Sequence, residues 1–253
     1  MGADVQSISS TRSDTDQDGE VADSALTVTL VIPVWGPSEL THRCLESLVW
    51  SASNFDLVLI DNTGTYVPSV TPGNHFTIVH NAENVGFSRA INQGVALATT
   101  DIVCMFNCDA TGTLDWLDNL MESFENPSVS IAGPRIVHPD GVLQTAGVRV
   151  WHGNGSAGGE EIKQELPTRD VECVTGACMA VRRDVFNALG GLDEALILGY
   201  EDVDFCLTAR EAGYKVRYVQ ESTVQHIESG TGPERWAHTH TNIDYLNRTW
   251  GNR

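Results

Sequence analysis

The sequence predicts an α/β fold with a mostly parallel central sheet flanked by helices. Short apolar runs rich in β-branched residues alternate with segments of helical periodicity from residue 27 to about residue 125, which is typical of such a sheet. Polar residues directly follow these runs, at the strand ends where parallel sheets bind ligands. Because 253 residues suffice for a sizeable core, we expect one ordered domain over residues 26–253.

The chain before this domain has a different composition. Residues 1–25 are rich in Ser, Asp, Thr and Gly and contain almost no large apolar side chain. They would bury too little apolar surface to offset the entropy that is lost on ordering. We therefore expect a disordered acidic leader over residues 1–25.

The elements of the first half follow one another regularly. The continuous apolar run LTVTLVIPVW predicts a strand that is buried on both faces. SELTHRCLESLVW then has apolar residues at helical spacing after Ser38, a candidate N-cap. FDLVLIDN and FTIVHN predict two further strands, GFSRAINQGVALATT a helix, and DIVCMFNCD a fourth strand.

The pattern is less regular after residue 130. IAGPRIVHPDG and LQTAGVRVW predict short strands or turns, and HGNGSAGGEEIKQELPTRD predicts a Gly-rich polar loop, which is typical of a mobile lid or of disorder. The last third predicts an extended segment, two helices and a strand, namely VECVTGACMAVRR, DVFNALGG, EDVDFCLTAREAG and KVRYVQ.

The charge of the chain restricts its partners. The formal net charge is −19, from 34 acidic and 15 basic residues. An acidic surface repels phosphate polymers and anionic lipid, so direct binding of duplex nucleic acid or of a membrane surface is disfavoured. A nucleotide ligand is compatible with this charge if a divalent cation screens its phosphates.

The six cysteines show neither CxxC spacing nor the density of a disulfide scaffold, so we expect free thiols in a reducing compartment. No apolar stretch approaches the length of a transmembrane helix, and the amino terminus lacks the pattern of a signal peptide. The sequence therefore predicts a soluble cytoplasmic protein.

Asp109 is the first candidate for chemistry. It directly follows the stretch MFNC, at the end of a predicted strand. A carboxylate there either caps the following helix or binds a metal, and the residue alone does not decide between the two. Glu201, Asp202 and Asp204 lie near the start of a predicted helix, whose dipole favours negative charge. Three acids beside Tyr200 also indicate a general base in a cleft.

Eight segments occur in an order that resembles the family 2 glycosyltransferases of the GT-A fold, in particular their rhamnosyltransferase-like branch. The resemblance extends from about residue 27 to residue 250. Each segment is weakly specific alone, but their order is specific. They are VIPVWG, IDNTGT, NAENVGFSRAINQG, MFNCDA, IAGPRIVHPDGVLQTAG, VTGACMAVRRDVF, GGLDEALILGYEDVDFCLTAREAGYKVRY and HIESGT.

The resemblance implies a Rossmann-like nucleotide-binding half over about residues 26–125 and an acceptor-binding, catalytic half over about residues 126–253. It implies a divalent metal, Mn or Mg, held by Asp109 and His226, and a catalytic base, Asp202, with Glu201 beside it. The implied nucleotide-binding residues are Pro33, Val34, Asp61, Asn84, Gly86, Asn92 and Asn107. The implied residues around the donor and acceptor sugars are Thr175, Gly176 and Ala177, with Trp151 on a lid or a surface insertion.

The implied reaction is an inverting transfer of one sugar from a nucleotide-diphosphate sugar to a hydroxyl. A metal would stabilise the leaving diphosphate, and one carboxylate would take the acceptor proton. dTDP-rhamnose or a UDP-hexose is expected as donor by analogy, and the acceptor is a glycan, a lipid-linked sugar, a protein or another molecule. Asn107 departs from the family pattern, because a strict DxD motif has an acid at this position.

Two other functions fit part of the sequence. A catalytically silent module that binds nucleotide sugars or glycans would keep Asp61 and Asp109 but need no base, and the acids at Glu201 and Asp202 count against it. A nucleotidyltransferase also uses an α/β sheet and metal-binding carboxylates. However, VIPVWGPSEL lacks the basic residue that this class would need after its first strand.

Overall fold

The structure, a computed structural model, describes residues 4–9, 26–51, 54–228, 230 and 237–253. Strands and helices alternate in its first half, as predicted. The elements are β1 (Asp4–Ser9), β2 (Val28–Val34), α1 (Ser38–Val49), β3 (Asp56–Asp61), β4 (His75–His80), α2 (Phe87–Leu97) and β5 (Ile102–Phe106).

The strands of the second half differ widely in length, from three residues in β6 to twelve in β13. Its elements are β6 (Ala110–Gly112), α3 (Trp116–Glu122), a 3-10 turn (Ser123–Glu125), β7 (Val129–Val137), β8 (Leu143–Thr145), β9 (Val148–Gly153), β10 (Ser156–Glu161), β11 (Arg169–Val171), β12 (Cys178–Arg182), α4 (Arg183–Ala188), α5 (Glu201–Glu211), β13 (Lys215–His226) and α6 (Thr239–Trp250).

All described strands except β9 and β10, which pair with each other, form an 11-stranded sheet in the order β1-β4-β3-β2-β5-β12-β7-β13-β11, with β6 beside β13 and β8 beside β7. β4, β3, β2 and β5 run parallel, and β13 runs parallel to β7. Between these groups β12 is antiparallel to both β5 and β7. The predicted α/β fold, with helices on both faces of the sheet, is confirmed.

The central strands are buried because their side chains meet helices on both faces. Leu30 and Ile32 of β2 pack into the core on the α1 and α3 side, whereas Val31 packs on the α2 and α5 side. All residues of β2 and β5 are buried. This explains why these strands are continuous apolar runs in the sequence instead of alternating ones.

Two local predictions are wrong. Asp4–Ser9, within the predicted disordered leader, form strand β1, which pairs antiparallel with β4. The edge of β4 offers unpaired backbone groups that an added strand satisfies whatever its composition. The remainder of the leader lies outside the described residues. Ser38 is the first helical residue of α1 and not its N-cap, which is Pro37.

The first part of the segment predicted as a Gly-rich loop, residues 152–161, belongs to a β-hairpin, whereas residues 162–168 form no strand or helix. β9 and β10 pair antiparallel, with Gly153 opposite Ser156. Asn154 and Gly155 between them have φ angles of 52° and 82°, as a two-residue turn of type I′ requires, and Asn-Gly is the preferred sequence for that turn. Residues 153–158 also have G-x-G-x-x-G spacing, but they lack the strand-to-helix context of a dinucleotide-binding loop.

The longest described helices have 12 residues. Within the described ranges, no helix has both the length and the apolar character that are needed to cross a membrane.

Gly94 allows α2 to approach β2 closely, which gives the first testable prediction. A Cβ atom at Gly94 would lie 2.2 Å from Val31 Cγ1. We expect Gly94→Ala to lower the free energy of unfolding by about 1–3 kcal/mol, because overpacking outweighs the gain in helix propensity. Urea unfolding measures this change.

The matched control is the double variant Gly94→Ala with Val31→Ala, which removes the atom that clashes. We expect the double variant to be more stable than the sum of the two single changes predicts. Additive losses would show that α2 adjusts its position freely.

Candidate active site

Eight of the residues that the sequence predicts for the site line one cleft. The cleft has a volume of about 270 Å³ and is bounded by the ends of β5 and β13, the start of α5 and the β9–β10 hairpin. Its lining in the described chain includes five carboxylates but no Lys or Arg. The predicted residues that line it are Asn107, Asp109, Thr175, Gly176, Ala177, Glu201, Asp202 and His226.

Asp109 and His226 lie side by side because β6 pairs with the end of β13. Ala110, which follows Asp109, is opposite His226 in this register, and the Ile227 amide donates to the Asp109 carbonyl oxygen at 3.1 Å. Asp109 Oδ1 and His226 Nε2 are 3.3 Å apart, and each residue is 5% exposed. Strand pairing therefore unites two residues that are far apart in sequence.

The hydrogen bonds of His226 define its tautomer. Nδ1 donates to Gln144 Oε1 at 3.1 Å, an oxygen that can only accept, and Nε2 accepts from Asn107 Nδ2 at 3.3 Å. Asn107 therefore uses the single lone pair of Nε2, while Asp109 Oδ1, 3.3 Å from the same nitrogen, has no hydrogen-bond partner in the described part of the chain. A buried carboxylate oxygen without a donor, beside an imidazole nitrogen, is an arrangement that a cation stabilises.

The donor set fits a divalent metal ion. The described residues contain no group of three or more His, Cys, Asp and Glu placed to hold a metal. Asp109 and His226 are thus a two-residue donor set, which leaves room for oxygen ligands from a substrate. This is how Mg²⁺ binds in many phosphoryl-binding sites, through one or two protein ligands and the phosphates of the substrate.

The start of α5 fixes Asp202 in the same cleft. Asp202 Oδ2 accepts a hydrogen bond from the Gly176 amide at 2.9 Å, and Oδ1 accepts from the Val203 amide at 2.8 Å. Tyr200, directly before the helix, has a φ of 70°, a left-handed conformation that is rare for an aromatic residue. Two backbone amides therefore hold the Asp202 carboxylate in one orientation. A side chain that acts on a bound substrate needs such a fixed orientation.

The three acids at the start of α5 have different environments. Glu201 and Asp202 line the cleft, whereas Asp204 faces the core, where its Oδ1 accepts a hydrogen bond from Trp250 Nε1 at 2.7 Å. Burial raises the pKa of the Asp204 carboxyl, although the bond from Trp250 opposes this shift. Asp204 therefore anchors α6 to α5 and takes no part in the cleft.

Asp61 organises its own loop instead of facing the described cleft. Its carboxylate accepts hydrogen bonds from the Thr63 amide and hydroxyl at 2.8 and 2.7 Å, from the Tyr66 amide at 2.9 Å and from His80 Nδ1 at 2.7 Å. Burial raises the pKa of Asp61, but these hydrogen bonds outweigh it and hold the pKa below its ordinary value. The side chain is 0% exposed.

Of the other predicted nucleotide-binding residues, Asn84 and Gly86 form the turn before α2, and Asn92 joins α2 to the loop before α5. Asn84 Oδ1 accepts from the Gly86 amide at 2.9 Å, and Gly86, with a φ of 84°, begins α2. The side-chain amide of Asn92 donates to the Leu192 carbonyl oxygen and accepts from the Leu192 amide, both at 2.9 Å. Asn92 is therefore committed to the backbone of that loop.

The remaining predicted residues also lie outside the lining of the cleft. Pro33 and Val34 are buried in β2, and the Val34 carbonyl oxygen accepts from the Asn62 amide at 3.0 Å. Trp151 is exposed and packs over Gly158 of the neighbouring strand. Along β9 it alternates with Val148, which lines the cleft, so the Trp151 side chain is on the other face of the hairpin.

Sequence reasoning missed several residues of the cleft. Gln144, Glu161 and Glu228 all line it, and Gln144 orients the His226 ring. Gln144 and Glu228 lie in the segments LQTAG and HIESGT, which the resemblance includes. Glu161 enters through the β9–β10 hairpin, and only recognition of the Asn-Gly turn would have placed it.

The fold and the cleft together define a class of α/β protein with a ligand cleft at its strand ends. The cleft contains a carboxylate–histidine pair, Asp109 and His226, and a second carboxylate, Asp202, that backbone amides hold in place. The family model of glycosyl transferase family 2 matches residues 29–190, which is more than half of the chain. The chain belongs to glycosyl transferase family 2.

Individual relatives agree with this membership. The pre-mycofactocin glycosyltransferase of Mycobacterium tuberculosis is 32% identical over 205 residues, which are 79% of this chain and 42% of that protein. The O-antigen chain rhamnosyltransferase RfbN of Salmonella typhimurium is 25% identical over 83% of this chain and 69% of its own length. The chain spans only 27% and 42% of the length of the first two curated relatives.

The mannosyltransferase PcManGT from Pyrobaculum calidifontis, solved in complex with GDP-Man and Mn²⁺, has a similar fold. Its TM-score is 0.64 at 17% identity, over 90% of this chain and 64% of that chain. The predicted GT-A fold is confirmed by this likeness.

The hydrogen bonds of Asp61 give a prediction for stability against pH. A carboxyl whose pKa is lowered on folding stabilises the folded state above its unfolded pKa, and this contribution is lost as the pH falls through the folded pKa. We expect Asp61→Asn to lower the free energy of unfolding at pH 7 by at least about 1.5 kcal/mol. The difference in the free energy of unfolding between wild type and Asp61→Asn should shrink as the pH falls below 3.8, the ordinary pKa of an aspartate. Urea unfolding across this pH range measures the difference.

Asp56→Asn is the matched control. It removes a carboxylate that also contacts a histidine, because His75 Nδ1 is 2.8 Å from Asp56 Oδ1, but His75 is 68% exposed. We expect a change below about 1 kcal/mol. An equal loss in the two variants would contradict the role assigned to Asp61.

Proposed function

We propose that this protein is a metal-dependent, inverting glycosyltransferase that moves one sugar from a nucleotide-diphosphate sugar to an acceptor hydroxyl. The observation that carries the proposal is the buried acceptor pair of Asp109 Oδ1 and His226 Nε2, 3.3 Å apart, in the same cleft as Asp202. Family membership supports the reaction class, and PcManGT supports a nucleotide-sugar donor with Mn²⁺.

Asp109 and His226 would hold the cation. Because Nε2 has one lone pair, it would exchange its contact with Asn107 Nδ2 for the cation, and Gln144 on Nδ1 would keep the ring oriented. A bound divalent ion acts as a Lewis acid that stabilises the negative charge of a leaving diphosphate. The cleft lining in the described chain contains no Lys or Arg that could take over this role. Because Asn107 is uncharged, the site has one negative charge fewer than a motif with two acids. The donor phosphates would therefore supply more of the ligands of the metal.

Asp202 acts as the general base in this proposal. An attacking hydroxyl must lose its proton as the new glycosidic bond forms, and a positioned carboxylate accepts it. The bonds from the Gly176 and Val203 amides hold both carboxylate oxygens in place. Glu201 lies beside it in the lining, with Thr175, Gly176 and Ala177, where a sugar would bind. Attack opposite the leaving group inverts the anomeric centre.

The donor specificity is proposed by analogy. The resemblance favours dTDP-rhamnose or a UDP-hexose, and the similarity to the rhamnosyltransferase RfbN supports the first. The nucleotide contacts assigned to Pro33, Val34 and Asp61 would then be made by the backbone of their strand ends, since these side chains are buried. We also propose a cytoplasmic location, supported by six free and buried cysteines.

Nucleotide binding tests the metal pair. We expect UDP, dTDP or GDP to bind wild type in the presence of Mn²⁺ and not in its absence. Asp109→Asn should weaken the metal-dependent binding by about 10- to 100-fold or more, because it removes the charged ligand. Calorimetric titration with and without Mn²⁺ measures both effects.

Asp115→Asn is the matched control, since Asp115 is exposed and has a φ of 60° that asparagine tolerates. It changes the net charge equally and should leave the affinity within about twofold. Binding that needs no metal, or that survives Asp109→Asn, would argue against the proposal.

Turnover tests the base. We expect Asp202→Asn to reduce release of nucleotide diphosphate from the bound donor by about 10²- to 10⁴-fold while donor affinity stays nearly constant. The assay uses a panel of nucleotide sugars, with water and simple glycosides as acceptors. Asp184→Asn is the control, because Asp184 also accepts the amide of the next residue at a helix start, at 2.8 Å.

Asp202→Asn also distinguishes the proposed enzyme from a module that only binds nucleotide sugars. A module that only binds nucleotide sugars would bind the donor equally well in wild type and in Asp202→Asn, with no turnover in either protein.

A further inference from the structure

A second concavity differs from the cleft in charge. This groove has a volume of about 540 Å³ and lies between β9, β11, the end of α5 and the start of β13. Four basic side chains line it, one from each of these elements, in a chain with only 15 basic residues against 34 acidic ones. They are Arg149, Arg169, Arg210 and Lys215.

The carboxylates in the groove do not neutralise its arginines. Asp170 Oδ1 accepts a hydrogen bond from Arg217 at 2.8 Å, and its Oδ2 is 3.8 Å from Lys215 Nζ. Glu172 Oε2 accepts from the Val150 amide at 2.8 Å. Both acids of the lining therefore already have partners, and neither contacts Arg149, Arg169 or Arg210.

These three arginines form no ion pair or hydrogen bond with any described residue. Several other arginines have acidic partners, although the exposed Arg43 and Arg248 have none among the described residues. Arg89 binds Glu194 at 2.9 Å, Arg253 binds Glu211 at 2.9 Å, and Arg135 binds Glu165. In a protein with such an excess of acids, three unpaired guanidinium groups around one groove indicate an anion from outside the chain.

The groove also has an apolar floor. Val171, Tyr214 and Val216 line it together with Ile162 and Leu166. An ion that is held only by the arginines would leave this surface exposed to water, whereas a ligand with an apolar portion would bury it at a gain of roughly 25 cal/mol per Å².

We propose that this groove binds an amphiphilic anion, with a phosphate or carboxylate group on Arg149, Arg169 and Arg210 and an apolar portion on the floor. The guanidinium fork binds either group through two parallel hydrogen bonds. The site requires no metal, in contrast to the cleft, and the proposal does not depend on the function proposed for the cleft.

Calorimetric titration in metal-free buffer tests the site with octyl phosphate, octanoate and inorganic phosphate, the amphiphiles below their micelle concentrations. We expect octyl phosphate or octanoate to bind, and the better of the two identifies the head group. Inorganic phosphate should bind at least about tenfold more weakly, because it lacks the apolar portion.

Arg169→Gln and Arg210→Gln should each weaken this binding about tenfold or more. Arg248→Gln is the control, because Arg248 is exposed on α6, has no ion pair with any described residue and carries the same charge. It should change the affinity less than about twofold. Asp109→Asn should bind the amphiphile like wild type, which separates this site from the metal pair.

The proposal is overturned if folded wild type binds neither amphiphile. It is also overturned if Arg169→Gln and Arg210→Gln bind as wild type does, or if Arg248→Gln weakens binding as much as they do. None of these results bears on metal-dependent nucleotide binding in the cleft, which is measured separately on the same protein.

Discussion

The pairing of strand β13 is the constraint on which both the fold and the cleft depend. β13 runs parallel to β7, with a break in register between Val219 and Thr223. Its early residues pair with β11 and its last ones with β6. This one strand carries a side of the basic groove at its start and places His226 against Asp109 at its end. The distance between two candidate metal ligands is therefore set by backbone hydrogen bonds, which resist small displacements far better than a flexible loop does.

The loop before α5 shows how the same rigidity reaches the proposed base. Asn92 of α2 binds the backbone of Leu192, while Asn242 of α6 donates to the carbonyl oxygens of Leu198 and Gly199 at 2.9 and 2.8 Å. The loop is thus held from two helices just before Tyr200, whose left-handed φ is maintained only because its surroundings are fixed. Residues that contact no substrate in this arrangement still determine where Asp202 points.

The sequence predicted the fold well because buried parallel strands and amphipathic helices leave local patterns. It predicted Asp109 and His226 only through the order of family segments, since no local pattern records that β6 pairs with β13. It did not reveal that Asn92 binds the backbone of Leu192, because position in a motif does not show which backbone group a side chain contacts. It grouped Asp204 with Asp202 for a related reason. Neighbours at a helix start point in different directions, and only tertiary packing determines which of them meets Trp250.

The cleft and the groove solve the same electrostatic problem in opposite ways. Five carboxylates line the described cleft, so a diphosphate that entered it without a cation would be repelled at close range in a poorly screened site. The groove instead concentrates four basic side chains, of which Arg149, Arg169 and Arg210 have no acidic partner among the described residues. Binding in the cleft should therefore depend on the metal concentration and binding in the groove on the ionic strength, because mobile salt screens exposed arginines more than a buried metal pair. In these two proposals, a chain with a net charge of −19 binds anions by supplying positive charge locally, once from solution and once from its own arginines.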